Sequence, residues 1–362
     1  MAKVQGLGWI GVDVGTHTVK LAQAMRTPGG AARLHRAAVI QRSSTWSNDD
    51  ALALAQPASS QTELQAALQA GSFVGRDAIC TLPMNVCQLR GMNIPPGDDQ
   101  ERRTMIAGGL EEEWSGQPYA IDFDFWELDV GKAEKGTEAF NVNVLGVTRP
   151  WVSQLARDCR SSGMDCWSID GVPLAMARAV GLMGGINGGR RALAVDWGFS
   201  NTTLCVVGDS RPLYVRRIHN CAFGGVLESI IREFDVTLDE AQHLVETMGV
   251  PSVETDRGVD QPIQAAIADA ARAVLEDLVH QVSRTLHYMG TQRRHLQPTA
   301  IWLMGGGASM RNIDSYLTHS LQMQVQIWRV STAEEPIPCA VGRRAALFGN
   351  AVALSALAWS AA

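Results

Sequence analysis

Two stretches of the sequence repeat one plan, in which an apolar run ends in an Asp-x-Gly turn and a second alternating run follows. The first stretch spans residues 10–21 and the second spans residues 193–204. When the two are aligned, Asp13 in the first matches Asp196 in the second. Runs of this kind around a tight turn predict a strand, a turn and a returning strand. The sequence therefore predicts two β-hairpins of the same design.

The turn of each hairpin carries groups that suit a phosphate beside a hydrated cation. Gly15 and Gly198 let the backbone approach a bound group closely, and amides and hydroxyls at such turns suit phosphate oxygens. A carboxylate at the strand end can hold Mg²⁺ through its waters, because Mg²⁺ dehydrates reluctantly. Lys20, on the returning strand, can place an ammonium against phosphates. One hairpin alone is a weak signal, since many such turns serve only the turn itself.

A third segment adds to this pattern. Residues 301–310 form an apolar run that enters a triple glycine at residues 305–307. The run predicts a buried strand, and the glycines allow a ligand close to the backbone. Two matching hairpins followed by this turn are much more specific than any one of the three parts.

In this order the three segments resemble phosphate loop one, phosphate loop two and the adenosine loop of the actin-like ATPase superfamily. Within it, the sequence most resembles the PilM family of type IV pilus assembly, which is related to the division protein FtsA. The resemblance covers nearly the whole chain: residues 94–126 resemble the PilM inserted subdomain, residues 144–170 its return strand, long helix and following strand, and residues 340–349 its closing helix.

The resemblance implies an α/β fold of the actin-like ATPase type, with two ribonuclease-H-like lobes around a nucleotide cleft. A small inserted α+β subdomain is expected in lobe one. The glycine-rich run at residues 181–189 predicts a hinge or surface turn between the lobes. The expected divisions are lobe one at residues 1–83, 144–180 and 337–362, the inserted subdomain at residues 84–143, and lobe two at residues 181–336.

The resemblance further implies that Mg-ATP binds between the lobes, with Asp13 and Asp196 holding Mg²⁺. Gly224 and Gly225, at a helix start, suit either an anion site or a plain tight turn on residue type alone. The resemblance favours the first, and Met310 could pack on the base. The implied nucleotide-binding residues are Asp13, Gly15, Thr16, His17, Thr18, Lys20, Asp196, Gly198, Phe199, Ser200, Asn201, Thr202, Gly224, Gly225, Gly305, Gly306, Gly307, Ala308 and Met310.

Several residues depart from what the superfamily usually carries. His17 replaces a small hydroxyl residue and titrates near neutral pH. Trp197 and Phe199 flank Gly198 where smaller residues are common, so the second loop is expected to be tighter. Val172, before a proline, stands where hydrolytic relatives carry a glutamate that orients water. The sequence therefore predicts ATP binding with slow or no hydrolysis.

In the helix after residue 239, Gln242 and Val245 stand where relatives often carry a glutamate and a lysine near the nucleoside. These replacements put the usual nucleoside contacts in doubt.

The inserted subdomain has two interpretations. One is a stability module. The other, implied by the resemblance, is one wall of a groove for the N-terminal cytoplasmic tail of a PilN-like inner-membrane protein, because an exposed sheet edge can accept an extended peptide. The contact residues are not assigned. Other pilus assembly proteins and a second copy of the chain are further candidate partners.

Two other functions in the superfamily fit the sequence less well. FtsA-like polymerising ATPases end in a linker and a basic amphipathic membrane helix, whereas this sequence has no Lys or Arg after Arg344. A sugar kinase needs a base for the substrate hydroxyl, and no acidic residue beyond Asp13 and Asp196 is suitably placed. A cytoplasmic domain of type II secretion is a close relative of the adaptor interpretation, but usually continues into a spanning helix.

The composition and charge of the chain exclude some classes of protein and indicate where in the cell it is expected. At 362 residues, with 46% hydrophobic and 19% charged residues, the chain suits two globular domains. A net charge of −6 gives no basic face for nucleic acid. No signal peptide is predicted before Asp13, and residues 345–359 are too short for a spanning helix. We expect a cytoplasmic protein without direct membrane insertion, peripheral at the inner membrane through its partner.

The seven cysteines are odd in number and show neither Cys-x-x-Cys nor zinc-site spacing. Most lie in apolar runs, so the sequence favours small core residues in a reducing compartment.

Overall fold

The computed structural model describes the chain as three β-sheets with helices packed on them. The described residues are 6–43, 57–113, 120–128, 141–184, 190–252, 261–332 and 344–360. In chain order the strands are β1 (Ile10–Val14), β2 (Thr18–Arg26), β3 (Ala32–Gln41), β4 (Asp77–Thr81), β5 (Cys87–Met92), β6 (Ile121–Glu127), β7 (Val142–Thr148), β8 (Asp165–Asp170), β9 (Ala192–Trp197), β10 (Thr202–Gly208), β11 (Arg211–Ile218), β12 (Ala300–Met304), β13 (Val325–Ile327) and β14 (Ser331–Thr332).

The helices connect and cover these sheets. In chain order they are α1 (Gln61–Gly71), α2 (Asp99–Glu113), α3 (Arg149–Ser161), α4 (Val172–Leu182), α5 (Phe223–Phe234), α6 (Leu238–Thr247), α7 (Gln261–Gln292), α8 (Ile313–Leu321) and α9 (Gly349–Ser355). No helix in the described ranges combines the length and the hydropathy that a membrane span requires.

The two large sheets share one design, which confirms both predicted hairpins. In lobe one the strand order is β14-β3-β2-β1-β4-β8, and in lobe two it is β11-β10-β9-β12-β13. Each contains an antiparallel hairpin, β1–β2 or β9–β10, whose first strand also pairs with a parallel strand, β4 or β12. Asp13 and Asp196 lie near the carboxyl ends of β1 and β9. Ligands bind at this edge of open α/β sheets.

The third sheet, β5-β7-β6, forms the inserted subdomain with α2. Its small core contains Ile94, Ile106, Leu110, Val142 and Val144. Strand β7 pairs with β5 up to Val147 and with β6 up to Thr148, beyond the residue 143 at which the sequence analysis ended the insertion.

The chain also returns to lobe one earlier than expected. Strand β13 of lobe two ends at Ile327, and β14 then pairs with β3 of the lobe-one sheet. Lobe-one pairing therefore begins at Ser331, before the expected end of lobe two at residue 336.

Helices α4 and α9 lie where the two lobes meet. Helix α4 lies between α9 and the lobe-two strands β10 and β11, as its apolar composition on all sides requires. Trp328, fully buried beyond β13, donates its indole N–H to the Ala179 carbonyl at 2.7 Å. The apolar segment at residues 345–359, predicted to be too short for a spanning helix, is α9 flanked by two short 3₁₀ turns.

Helix α9 contacts β1 without intervening side chains. A Cβ at Gly11 would lie 1.8 Å from the Ala351 carbonyl oxygen and 2.8 Å from the Ser355 amide nitrogen. Glycine is therefore required on the strand because the helix backbone occupies the side-chain space.

We expect Gly11→Ala to lower the free energy of unfolding by about 3 kcal/mol, at the upper end for overpacking a core. The reason is that α9 must move away from β1. Gly108→Ala is the matched control: a Cβ there, on the exposed side of α2, meets no atom within 4 Å. It should stabilise its helix by about 0.5–1 kcal/mol. Thermal and urea unfolding measure both, and equal effects would contradict the packing argument.

Candidate functional site

The two hairpin turns have the same internal geometry. The Gly15 amide donates to the Thr18 carbonyl at 2.9 Å, and the Gly198 amide donates to the Asn201 carbonyl at 3.1 Å. A Cβ on either glycine would lie 2.8 or 2.9 Å from that same carbonyl oxygen. Each turn is therefore narrow enough to exclude any side chain at its glycine, which leaves backbone facing the cleft.

The turns face each other across a cavity of about 450 Å³ between the lobes. This volume lies in the range of small-molecule sites. The expected residues that line the cavity are Asp13, Gly15, Thr16, His17, Thr18, Lys20, Asp196, Gly198, Phe199, Ser200, Asn201, Gly305 and Gly306.

The other residues expected in the nucleotide site do not line the cavity. Their positions are explained by packing inside lobe two. Thr202 is buried and donates its hydroxyl to the Cys221 carbonyl at 3.1 Å. A Cβ on Gly307 would lie 2.1 Å from the Trp197 ring, so this glycine makes room for an indole. Ala308 and Met310 are buried in the lobe-two core.

Gly224 and Gly225 likewise serve packing. A Cβ on Gly224 would lie 2.6 Å from the Phe199 carbonyl oxygen, and one on Gly225 would lie 3.3 Å from Val274. Both glycines lie in the first turn of α5, and neither lines the cavity.

The two carboxylates have different partners. Asp13 is buried, forms a 2.8 Å ion pair with Lys20 and accepts a 3.4 Å hydrogen bond from the Thr81 hydroxyl. Asp196 accepts a 2.9 Å hydrogen bond from Asn350 Nδ2. Burial and the negative charge of Asp13 raise the pKa of Asp196, against opposing contributions from Lys20 and Asn350. A cation between the two carboxylates would relieve this repulsion.

Asn350 was missed as a site residue by the sequence analysis. It lines the cavity from α9, and its buried Oδ1 atom has no hydrogen-bond partner among the residues that the structure describes. A buried acceptor of this kind is costly unless a donor reaches it. The only sequence signal was an asparagine within an apolar, alanine-rich run.

These groups fit a hydrated Mg²⁺. Carboxylates and amide oxygens are hard oxygen ligands of the kind that Mg²⁺ takes, and its retained waters are donors. A water bound to such an ion could donate to the orphaned Oδ1 of Asn350, and the ion itself would lie against Asp13 and Asp196.

The hairpin turns touch in this structure. Thr16 Oγ1 and Ser200 Oγ are 2.7 Å apart, with either as donor. The His17 and Phe199 rings stack with centroids 3.9 Å apart and planes 11° from parallel. Burial is the main cause that lowers the pKa of His17, followed by the charge of Lys20. The neutral imidazole is therefore favoured in the stack.

The departures noted in the sequence fall on different sides of the cavity. Val172 is buried at the first position of α4 and lines the cavity, so an apolar group stands where hydrolytic relatives place a glutamate. Gln242 also lines the cavity, whereas Val245 is fully buried in the lobe-two core. Arg344, which sequence reasoning missed, lines the cavity and pairs with Glu246 at 2.8 Å.

Two lobes that each contain an Asp-x-Gly hairpin beside parallel strands, with a cleft between them, define the actin-like ATPase fold. Residues 171–335 match the family model described as type IV pilus assembly protein PilM. This match confirms the resemblance to PilM, over lobe two and the helix that precedes it. Among curated proteins, no sequence matches significantly.

Solved structures extend the likeness to the whole chain. The PilM-PilN type IV pilus biogenesis complex has a chain that is 20% identical with a TM-score of 0.73, covering 99% of each chain. Ethanolamine utilization protein EutJ from Carboxydothermus hydrogenoformans is 13% identical with a TM-score of 0.53, covering 97% of this chain and 90% of that one. At these identities the likeness establishes the fold.

The lowered pKa of His17 predicts a pH effect. The unfolded chain binds the His17 proton more tightly than the folded chain does. The stability that depends on the neutral imidazole is therefore fully present above the ordinary histidine pKa of about 6.5. It falls as the pH drops below that value. Thermal unfolding of wild type and His17→Phe between about pH 5 and 8 isolates this residue. The phenylalanine keeps an aromatic stack that cannot titrate, so its unfolding midpoint should fall less. Parallel curves for the two proteins would contradict the assignment.

Proposed function

We propose that this protein is a cytoplasmic nucleotide-binding adaptor of type IV pilus assembly, held at the inner membrane by a PilN-like partner. The observation that carries the proposal is the interlobe cavity lined by two matching Asp-x-Gly turns. The family match over residues 171–335 and the full-length likeness to a chain of a PilM-PilN complex support the assignment to pilus assembly.

In the proposed complex, the backbone of both turns and the hydroxyls of Thr16, Thr18 and Ser200 bind the phosphates of ATP. Lys20 exchanges part of its contact with Asp13 for a phosphate oxygen, since an ammonium can donate three hydrogen bonds. Asp13 and Asp196 hold Mg²⁺, which supplies charge neutralisation for the phosphates.

Binding requires the turns to separate. The contact between Thr16 and Ser200 and the stack between His17 and Phe199 close the space between the loops where phosphates would lie. In our proposal the nucleotide replaces these contacts with its own, so the ligand favours an opened arrangement of the lobes. A ligand shifts such an equilibrium only by its difference in affinity for the two states.

Hydrolysis is proposed to be slow. Phosphoryl transfer to water needs a polar group that orients the nucleophile, and Val172 presents a hydrocarbon at the corresponding position. Lys20 neutralises Asp13, and Asp196 is already hydrogen-bonded to Asn350. ATP therefore acts as a switching ligand.

The inserted subdomain is the proposed partner-binding part. Strands β5 and β6 are the outer strands of its sheet, and an outer strand offers unpaired backbone groups to an extended peptide. The tail of a PilN-like protein would add to one of these edges.

Isothermal titration calorimetry with Mg-ATP tests the nucleotide site. We expect saturable binding to wild type, weakened by about 30-fold or more in Asp196→Asn, the loss that follows removal of one partner of a buried charge contact. Asn keeps the acceptor for Asn350. Without nucleotide the variant should unfold at a higher temperature, because a carboxylate repelled by Asp13 is removed.

Asp235→Asn is the matched control, since Asp235 is exposed at the end of α5 in a left-handed conformation that Asn tolerates. It should bind as wild type does. Absence of ATP binding to the wild type would refute the proposed nucleotide site. Rapid turnover of bound ATP would refute the adaptor hypothesis and favour an active ATPase.

A labelled peptide from the N-terminal cytoplasmic tail of the PilN-like protein of the same organism tests the partner. Fluorescence anisotropy should show saturable binding in about the micromolar range, because ordering a flexible tail costs free energy. A scrambled peptide of the same composition should not bind. Equal binding of both peptides, or of neither, would refute the partner assignment whatever the outcome with ATP.

A further inference from the structure

Three cysteines from three different elements meet on one face of the lobe-one sheet. Cys80 lies in β4, Cys159 in α3 and Cys166 in β8, and their sulfur atoms all lie within 4.8 Å of one another. The Sγ atoms of Cys80 and Cys159 are 3.5 Å apart, and those of Cys166 and Cys80 are 3.8 Å apart. We call this group the three-thiol cluster.

Backbone geometry brings the cluster together. A tight turn through Gly163, at φ +89°, reverses the chain between α3 and β8. Strand β8 pairs in parallel with β4 and carries a bulge at Trp167, so that Cys166 faces Ala78 while Ser168 faces Ile79. Cys166 then lies on the same sheet face as Ala78 and Cys80, because side chains alternate along a strand. Bulges often re-aim side chains at sites.

The sequence analysis favoured small core residues for most cysteines, and Cys80 and Cys159 do lie in the lobe-one core. It did not predict that these two thiols would meet Cys166. The pairing of β4 with β8, which spacing along the chain does not reveal, creates the cluster. Cys87 and Cys205 show the contrasting case: both are buried, and neither belongs to this or another described group of metal-ligating side chains.

The spacing of the sulfur atoms suits a metal ion. Tetrahedral zinc at about 2.3 Å from each sulfur places its sulfur ligands about 3.8 Å apart. The two measured sulfur pairs, at 3.5 and 3.8 Å, match this value closely. The third pair, Cys159 and Cys166, lies within 4.8 Å, so a small adjustment of side chains brings the three thiolates to one ion.

The cluster is also open to solvent on one side. Cys80 and Cys159 are fully buried, whereas Cys166 is partly exposed and lines a surface cavity of about 260 Å³ with Arg160, Asp165 and Trp167. The cavity gives an ion a path of entry and leaves room for a water at a fourth position.

We propose that the three-thiol cluster binds one zinc ion, with Cys80, Cys159 and Cys166 as ligands and water from the cavity as the fourth. Each zinc–sulfur bond replaces a sulfur–proton bond, so up to three protons leave to solvent on binding. A divalent ion leaves a net charge of −1 on the three thiolates, beside the guanidinium of Arg160. A monovalent ion would leave −2 in a largely buried place, which is why zinc is favoured.

The experiment uses the full chain, reduced and stripped of metal, with Cys339→Ser in every sample because Cys339 lies outside the described residues. Cadmium is the probe, since it takes the same thiolate ligands and produces a thiolate-to-metal charge-transfer absorption in the ultraviolet. We expect one cadmium per chain and displacement by zinc. Cys166→Ala, at the most exposed ligand, should weaken cadmium binding at least about 100-fold, the upper end for loss of an outer-shell partner.

Cys87→Ala is the matched control, because it removes a buried thiol elsewhere in the lobe-one core, and it should bind as the parent does. Circular dichroism checks that both variants fold. Cadmium nuclear magnetic resonance on the parent chain counts sulfur ligands without any further substitution. No charge-transfer band at stoichiometric cadmium, a band unchanged by Cys166→Ala, or fewer than three sulfur ligands would overturn the proposal.

Discussion

The close approach of α9 to β1 is the contact on which the rest of the arrangement depends. Because Gly11 has no side chain, the helix backbone at Ala351 lies directly on the first hairpin strand. The preceding residue, Asn350, then reaches across to Asp196 in the second hairpin. One turn of helix thereby sets the relative position of the two carboxylates. This explains why an apolar terminal segment carries a single buried amide that has no role in its own packing.

Local pattern was enough to predict the two hairpins and the triple-glycine turn, because each depends on turn chemistry and strand alternation nearby in sequence. The inserted α+β subdomain was expected from the family resemblance. Asn350 and the three-thiol cluster could not be predicted in this way, since they arise from contacts between distant elements. Gly307 shows a third case: the glycine was correctly singled out, but the Trp197 ring rather than a ligand takes the space it leaves.

The residues that depart from the superfamily pattern are concentrated where the lobes meet. His17 and Phe199 are larger than the usual residues, and they contact each other rather than leaving a gap. An aromatic pair of this kind contributes about 0.5–1.5 kcal/mol beyond its burial. In the proposed function, nucleotide affinity is therefore a balance between the free energy of binding the phosphates and the free energy of separating this stack.

The inserted subdomain is joined to the two lobes in different ways. Its covalent connections run to lobe one, yet the Trp126 indole donates to the Pro212 carbonyl of lobe two at 2.8 Å, and Arg217 of lobe two donates to the Met84 carbonyl where the insertion begins. A change in the angle between the lobes must break these bonds or rotate the subdomain. The insertion is covalently connected to one lobe and hydrogen-bonded to the other, so a relative movement of the two lobes is transmitted to it.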